Sequence, residues 1–415
     1  MTSSSPEFAA EDGSRTVAEL IVDLLAIAGV TDFFGVAGST IMPFLDALSL
    51  DTRISYHPAR HEQSAADMAS GYARVSGRLG VFMTHCGPGA TNTLTSITGS
   101  GRDRVPVLLI SGNEESHTLV RRPYHDWPIA QTFGGLTRFS QTVRTAAEVP
   151  IALRQALSHA LRENPGPVHL DVPEDVALSF LSQQEFDALV AQATTWFRQL
   201  PAGCSGPISR PAPSTGEVER TVRLLAGAHN PVLVVGEMAH WSQAVDDIAE
   251  LSRELSVPYV STFGARGGVP NSGLFLGAVG RFGEAEANKL FGDADLVIAL
   301  GGDLSDVDTI KWSMPAATAA LVHVHPDADA IDFRLPATVG VVADVGSFVK
   351  ALRDALGSQT VGAVGRTGTA TGVDATVAGS AAASLTGADE ILVADTIANV
   401  PESWAICMDP GFAAL

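Results

Sequence analysis

Apolar residues recur at helical spacing near the N-terminus and then give way to short, continuous apolar runs. The stretch VAELIVDLLAIAGV has apolar positions three and four residues apart and stops at Gly29, which predicts a helix. Four strand-like runs follow up to Pro173, and each leads into glycine, proline or polar residues: TDFFGVAG, LGVFMTH, VPVLLISG and PVHLDVP. Apolar strands that alternate with helices predict an α/β fold with a parallel sheet covered on both faces.

The same pattern returns in a second segment, so we predict two doubly wound parallel-sheet domains and the start of a third. The second set of strand-like runs is PVLVVGE, VPYVST, ADLVIALGG, AALVHVHP and TVGVVADV. Proline, glycine and serine are concentrated at 200–216, and a Gly/Ala/Thr/Ser-rich stretch precedes the run ILVAD. The predicted organisation is a first domain at 15–185, a linker at 186–216, a Rossmann-like central domain at 217–356, a flexible linker at 357–387 and an incomplete third domain at 388–415.

Composition narrows the class of partner and the compartment. The 415 residues carry 26 Lys and Arg against 46 Asp and Glu, a net charge of −20, which argues against nucleic acid and against a membrane surface. Cys86, Cys204 and Cys407 lie far apart with no CxxC spacing, which excludes a disulfide scaffold and a zinc ribbon, and we predict no metal ligands in this chain. The N-terminus has no signal-peptide pattern and no apolar run approaches the ~20 residues of a membrane span, so we expect a cytoplasmic protein.

Candidate chemistry gathers where strand-like runs end. Glu62 opens a helix rich in small residues, and taken alone it is explained by the favourable position of a carboxylate in a first helical turn. The glycine-rich loop from His85 to Asn92 and the turn from Gly35 to Thr40 both join a strand to a helix, where backbone N–H groups can meet a ligand. Taken alone, His85 is more readily explained as a structural residue than as a functional one. We expect these loops to converge at the carboxyl edge of one sheet.

The combination of RHEQSAADMASGYARVSG and GPGATN closely resembles the pyrimidine-binding domain of thiamine diphosphate enzymes of the acetolactate synthase, benzoylformate decarboxylase and pyruvate oxidase superfamily. The stretches GVTDFFGVAGSTIMPFLDAL, GPVHLDVPEDV, ADLVIALGGDLSD and LVHVHPDADAID support the resemblance, which covers roughly residues 15–356 and, more faintly, 389–415. It implies an enzyme that uses thiamine diphosphate to act on a 2-oxo acid.

The resemblance also implies roles for individual residues. Glu62 takes the place of the glutamate that hydrogen-bonds N1′ of the aminopyrimidine and promotes loss of the thiazolium C2 proton. Ser39 matches the serine that contacts the substrate carboxylate in the benzoylformate decarboxylase branch, and His85 matches that branch's proton-transfer histidine. The resemblance places Gly38, Gly87, Pro88 and Asn92 at the cofactor.

The branch within the superfamily stays open between decarboxylase and carboligase. Ser39 and His85 favour a decarboxylase-like site, whereas GPGATN resembles the synthase loop, and the branch's second histidine is replaced near Asp306. His125 stands where synthases often carry a glutamine that contacts the active site. A histidine in place of that glutamine is explained either by a different acceptor substrate or by sequence drift.

The superfamily holds Mg²⁺ and the diphosphate with a G-D-G motif of its third domain, and no G-D-G occurs in this sequence. We therefore expect another polypeptide, or a segment lost by truncation, to supply the diphosphate-binding domain, with active sites shared in a homo-oligomer or with that separate subunit. The alternatives are a non-catalytic scaffold or regulatory homologue that pairs with a full-length enzyme, and an unrelated nucleotide-binding protein. The sequence does not decide whether the central domain binds FAD.

Overall fold

A computed structural model describes residues 13–270 and 273–359. The predicted third-domain segment at 388–415 and nearly all of the predicted linker at 357–387 lie outside these residues. Across the described ranges, no helix has the length and apolar character needed to cross a membrane.

The first half of the described chain builds one six-stranded parallel sheet, with a separate antiparallel pair beside it. Its strands are β1 (Arg15–Thr16), β2 (Asp32–Gly35), β3 (Ser55–Pro58), β4 (Gly80–Thr84), β5 (Val107–Asn113), β6 (Phe139–Thr142), β7 (Val168–Pro173) and β8 (Phe180–Leu181). The six-stranded sheet has the spatial order β3-β2-β4-β5-β7-β6, and β1 pairs with β8. Every residue of β4, β5 and β7 is buried, as expected for strands covered on both faces.

Helices cover both faces of this sheet. They are α1 (Val17–Ile27), α2 (Met42–Leu50), α3 (Glu62–Ser76), α4 (Pro88–Thr91), α5 (Leu94–Arg102), α6 (Ile129–Gly134), α7 (Val149–Ala160), α8 (Glu174–Ala177) and α9 (Gln183–Phe197). Helix α1 starts where the sequence predicts it, because Thr16 and Glu19 form a reciprocal capping box. The small residues of α3 lie against the sheet rather than only on a free surface: Ala65, Ala66, Ala69 and Ala73 are buried.

Helix α9 runs through the beginning of the segment predicted as a linker, 186–216. Ser182 and Glu185 form a capping box at its start, and Phe186, Ala193 and Phe197 are buried where the helix packs against α1 and α7. The Pro/Gly/Ser-rich part begins only after this helix, at Leu200. The predicted linker therefore starts too early, because its boundary is set by the composition of 200–216 and not by the amphipathic pattern of α9.

The second half of the described chain repeats the architecture. Its strands are β9 (Pro231–Val235), β10 (Tyr259–Ser261), β11 (Phe275–Ala278), β12 (Leu296–Leu300), β13 (Ala320–His325) and β14 (Val339–Val342), and its helices are α10 (Thr215–Gly227), α11 (Glu237–Trp241), α12 (Val245–Leu255), α13 (Ala285–Gly292) and α14 (Val345–Gln359). The sheet order is β11-β10-β9-β12-β13-β14, and all pairs are parallel. Two doubly wound parallel sheets confirm the predicted fold class.

A cluster of ion pairs joins the two sheets' domains. The Asp303 carboxylate, just past β12, lies 2.6 Å from Arg104 Nη1 and 3.3 Å from Arg102 Nη1. Arg102 is the last residue of helix α5 in the first domain, and Arg104 lies two residues after it. Arg104 also reaches the Asp327 carboxylate at 3.3 Å. Although burial alone raises the pKa of Asp303, the charge and hydrogen bond of Arg104 bring it below its ordinary value. The positive charge of the Arg104 guanidinium is therefore balanced mainly by the Asp303 carboxylate, the closer of its two partners.

We expect Asp303→Asn to lower the free energy of unfolding by about 3 kcal/mol, because it leaves the largely buried Arg104 charge with only one close carboxylate. Urea denaturation followed by circular dichroism measures this. The matched control is Lys350→Ala, which removes an ion pair with Asp354 that is exposed on both sides and should leave the midpoint unchanged. An Asp303→Asn midpoint equal to that of the control would show that the cluster does not stabilise the fold.

Candidate active site

The candidate site lies where β2, β4 and β5 end. Gly35 of β2 pairs with Met83 of β4, and Thr84 of β4 pairs with Ser111 of β5, so the three strands stop at one edge of the sheet. The turn after β2, the loop after β4 and the segment after β5 therefore leave the sheet side by side. The structure brings the predicted loops together here, as their positions after parallel strands imply.

Glu62 lies at the start of α3, half-buried, next to the loop after β4. Its Oε2 atom accepts a hydrogen bond of 2.9 Å from Asn92 Nδ2. Gly89 lies under this pair: a Cβ added at Gly89 would stand 3.6 Å from Glu62 Oε1 and 3.2 Å from His85 Cβ. Glu62, Asn92 and His85 thus surround one small space, and the loop approaches it closely because the position is glycine.

The imidazole of His85 is held by the turn after β2. Its Nδ1 atom lies 2.8 Å from Thr40 Oγ1. A Cβ added at Gly38 would stand only 2.6 Å from His85 Cβ, so this glycine makes room for the histidine. Burial, together with the neighbouring His125, lowers the pKa of His85 below its ordinary value. The neutral ring therefore predominates at neutral pH, with Nε2 directed away from Thr40.

Cys86 and His125 lie next to that Nε2 atom, and Glu114 lies next to both of them. His85 Nε2 lies 3.4 Å from His125 Nδ1 and 3.6 Å from Cys86 Sγ. Glu114 Oε1 lies 3.8 Å from Cys86 Sγ and 3.7 Å from His125 Nδ1. Burial, reinforced by the charge of Glu114, raises the pKa of the Cys86 thiol to about 12.

The remaining predicted residues occupy different positions. Gly87 adopts a positive φ of 54°, and a Cβ there would stand 3.0 Å from the His125 carbonyl oxygen, so the loop and the His125 segment touch at this point. Pro88 is exposed at the first position of α4. Ser39 is exposed at the start of a short 3₁₀ turn, Ser39–Ile41, and its neighbour Thr40 is the residue that contacts His85.

The sequence reasoning missed Thr40, Cys86 and Glu114. Each stands directly beside a predicted feature, since Thr40 follows Ser39, Cys86 follows His85, and Glu114 is the first residue after β5. The signal that could have found Glu114 is its place at the carboxyl end of a buried strand, the same criterion that selected His85.

Comparisons with known proteins identify the family of this chain. Residues 15–132 match the family described as thiamine pyrophosphate enzyme, N-terminal TPP binding domain. Residues 218–352 match the family described as thiamine pyrophosphate enzyme, central domain. The chain belongs to the superfamily of thiamine diphosphate-dependent enzymes.

Within that superfamily the chain is similar to acetolactate synthases. It is 31% identical over 339 residues to an acetolactate synthase of Mycobacterium bovis, an alignment that covers 81% of this chain and 53% of the relative. It is 30% identical over 340 residues to the acetolactate synthase isozyme 2 large subunit of Escherichia coli, with 82% of this chain and 59% of the relative covered. The chain thus spans little more than half the length of these relatives.

Proposed function

We propose that the chain is a component of a thiamine diphosphate-dependent 2-oxo acid decarboxylase or carboligase of the acetolactate synthase kind. The observation that carries this proposal is the Glu62 carboxylate, which faces the loop after β4 with its Oε2 atom fixed by Asn92. A carboxylate held in this way can share a proton with a ring nitrogen of a bound aminopyrimidine. That ring is the part of thiamine diphosphate that fits the described residues.

Glycines surround Glu62 and the groups beside it. Gly38, Gly87 and Gly89 bring backbone close to the site at positions where a Cβ would crowd His85 or His125. We propose that Gly38, Gly87, Pro88 and Asn92 contact the cofactor. Bound thiamine diphosphate supplies an electron sink for the carbanion that decarboxylation of a 2-oxo acid leaves behind.

We propose that the groups on the His85 side of the site handle the substrate. The Nε2 atom of His85 is positioned to move a proton, because Thr40 engages the opposite ring nitrogen. The exposed hydroxyl of Ser39 is available to a substrate carboxylate, and His125, whose ring lies edge-on to that of His85 at 5.1 Å, is available to an acceptor substrate.

We further propose that Mg²⁺ and the diphosphate are bound by a domain outside residues 13–359, belonging to another polypeptide or to a second copy of a longer chain. A shallow groove between α3 and α5 supports such pairing, because it is lined by small and polar side chains, among them Ser70, Gly71 and Ser96, and lies beside Glu62. FAD in the central domain stays an open prediction, and flavin absorbance of the purified protein decides it.

Isothermal titration with thiamine diphosphate and Mg²⁺ tests the proposal, with the chain alone and with the candidate partner, for which the neighbouring gene product is the first choice. We expect weak binding by the chain alone, and tight binding with CO2 release from 2-oxo acids once the missing half is present. Size-exclusion chromatography should show the two proteins in one complex. A complex that forms but neither binds the cofactor nor releases CO2 would favour the non-catalytic scaffold instead.

A further inference from the structure

Three side chains beside the candidate active site bring potential metal ligands together: His85 through Nε2, His125 through Nδ1 and Cys86 through Sγ. The Oε1 atom of Glu114 lies next to two of them, Cys86 and His125. The two imidazoles and the thiol lie within 4.8 Å of one another as potential ligands. The cluster joins the loop after β4 to the segment after β5.

Two of these separations match the edges of a tetrahedron around Zn²⁺. Zn–N bonds of about 2.0 Å and a Zn–S bond of about 2.3 Å at tetrahedral angles place two nitrogens about 3.3 Å apart, and a nitrogen and a sulfur about 3.5 Å apart. The His85–His125 nitrogen separation is 3.4 Å and the His85–Cys86 nitrogen–sulfur separation is 3.6 Å. The Glu114 oxygen lies beside this group of three, 3.7 Å from His125 Nδ1 and 3.8 Å from Cys86 Sγ.

The surroundings of His85 also fit a metal ligand. Metal-bound histidines as a rule use their second ring nitrogen for a hydrogen bond that fixes the ring. Thr40 Oγ1 lies 2.8 Å from His85 Nδ1 and accepts a hydrogen bond of 3.3 Å from the backbone N–H of Cys86. Thr40 therefore orients both neighbouring ligands and leaves Nε2 of His85 free to face the cluster.

We propose that His85, Cys86 and His125 form a Zn²⁺ site, with the Glu114 carboxylate next to two of these ligands. The mixed nitrogen and sulfur donors favour Zn²⁺ over Mg²⁺ or Ca²⁺, which prefer oxygen ligands. Cys86 binds as the thiolate, so each ion that enters releases the thiol proton to solvent. The bound ion occupies the lone pair on His85 Nε2, and zinc binding and proton transfer by His85 therefore exclude each other.

The test uses full-length protein stripped with a chelator and titrated with Co²⁺, which reports its own coordination. We expect one equivalent to bind, with the strong visible bands of tetrahedral Co²⁺ and a thiolate charge-transfer band in the near ultraviolet, and Zn²⁺ to displace it. Cys86→Ser should abolish the charge-transfer band. Cys86→Ser and His125→Asn should each weaken binding by about 100-fold or more, since even the loss of an outer hydrogen-bond partner costs 10- to 100-fold.

The controls separate this site from other thiols and imidazoles. Cys204 is a second buried cysteine, and His57 is an imidazole paired with Asp32, so Cys204→Ser and His57→Asn should bind Co²⁺ as the parent does. Cys407→Ser should also be silent. Thr40→Val should keep the spectrum but bind about 10- to 100-fold more weakly.

Folding of each variant is checked by circular dichroism, and His125, which lies outside the regular elements, offers a ligand whose loss spares the sheet. Absence of one-equivalent binding tighter than about 10 μM in the parent would overturn the proposal, as would a charge-transfer band that survives Cys86→Ser. The readout needs no thiamine diphosphate, so failure of the proposed reaction and failure of the zinc site give different results.

Discussion

Glu62→Gln should lower the rate of CO2 release by about 10²- to 10⁴-fold in the complete, cofactor-loaded enzyme. Glutamine keeps the length of the side chain and an oxygen that can accept the hydrogen bond from Asn92 Nδ2, now at 2.9 Å. It cannot share a proton with the ring nitrogen of an aminopyrimidine, because an amide neither gains nor loses a proton at neutral pH. The loss should fall on kcat, measured with saturating 2-oxo acid.

A matched variant separates this role from the ordinary effect of an acid in a first helical turn. Glu286 occupies the first turn of α13, exposed and far from the candidate site. If Glu62 merely complements a helix dipole, Glu62→Gln and Glu286→Gln should each cost a few tenths of a kcal/mol in stability and leave kcat unchanged. Equal kcat values for both variants and the parent would sink the catalytic role of Glu62.

The sequence predicts those parts of the site whose positions follow from the order of the strands. Glu62 follows the edge strand β3, and His85 and Asn92 follow the buried strand β4, so their meeting at one sheet edge follows from the parallel fold. The contact between Thr40 and His85 does not follow, because it depends on the direction of the short turn that begins at Ser39. A one-residue difference in that turn decides which hydroxyl faces the imidazole.

The pattern of apolar and polar residues also does not predict that His125 and Glu114 approach Cys86. The segment after β5 has little regular structure, and its path back to the loop after β4 is fixed by contacts such as that between Gly87 and the His125 carbonyl. Spacing to distant motifs placed His125 near the active site only through the resemblance. Apolar periodicity says nothing about where such polar loops return.

Two glycines test how closely the small residues of α3 pack on the sheet, because an added methyl group should have opposite effects on stability at the two positions. Gly80 begins β4 directly beneath this helix, and a Cβ there would overlap the Ala69 carbonyl oxygen and stand 2.8 Å from its carbonyl carbon. These are backbone atoms in the middle of α3, so relief requires the helix to move as a unit. Because α3 begins at Glu62, that movement would also disturb the hydrogen bond to Asn92.

Gly80→Ala should therefore lower the free energy of unfolding by about 3 kcal/mol or more and weaken thiamine diphosphate binding with it. Gly71 lies on the exposed face of α3 with no atom within 4 Å of an added Cβ, so Gly71→Ala should raise stability by up to about 1 kcal/mol through helix propensity. Urea denaturation of both variants beside the parent measures the contrast. Close backbone packing makes the same substitution harmful at Gly80 and favourable at Gly71. If the free energy of unfolding shifted in the same direction in both variants, α3 would not pack on β4 as closely as these contacts require.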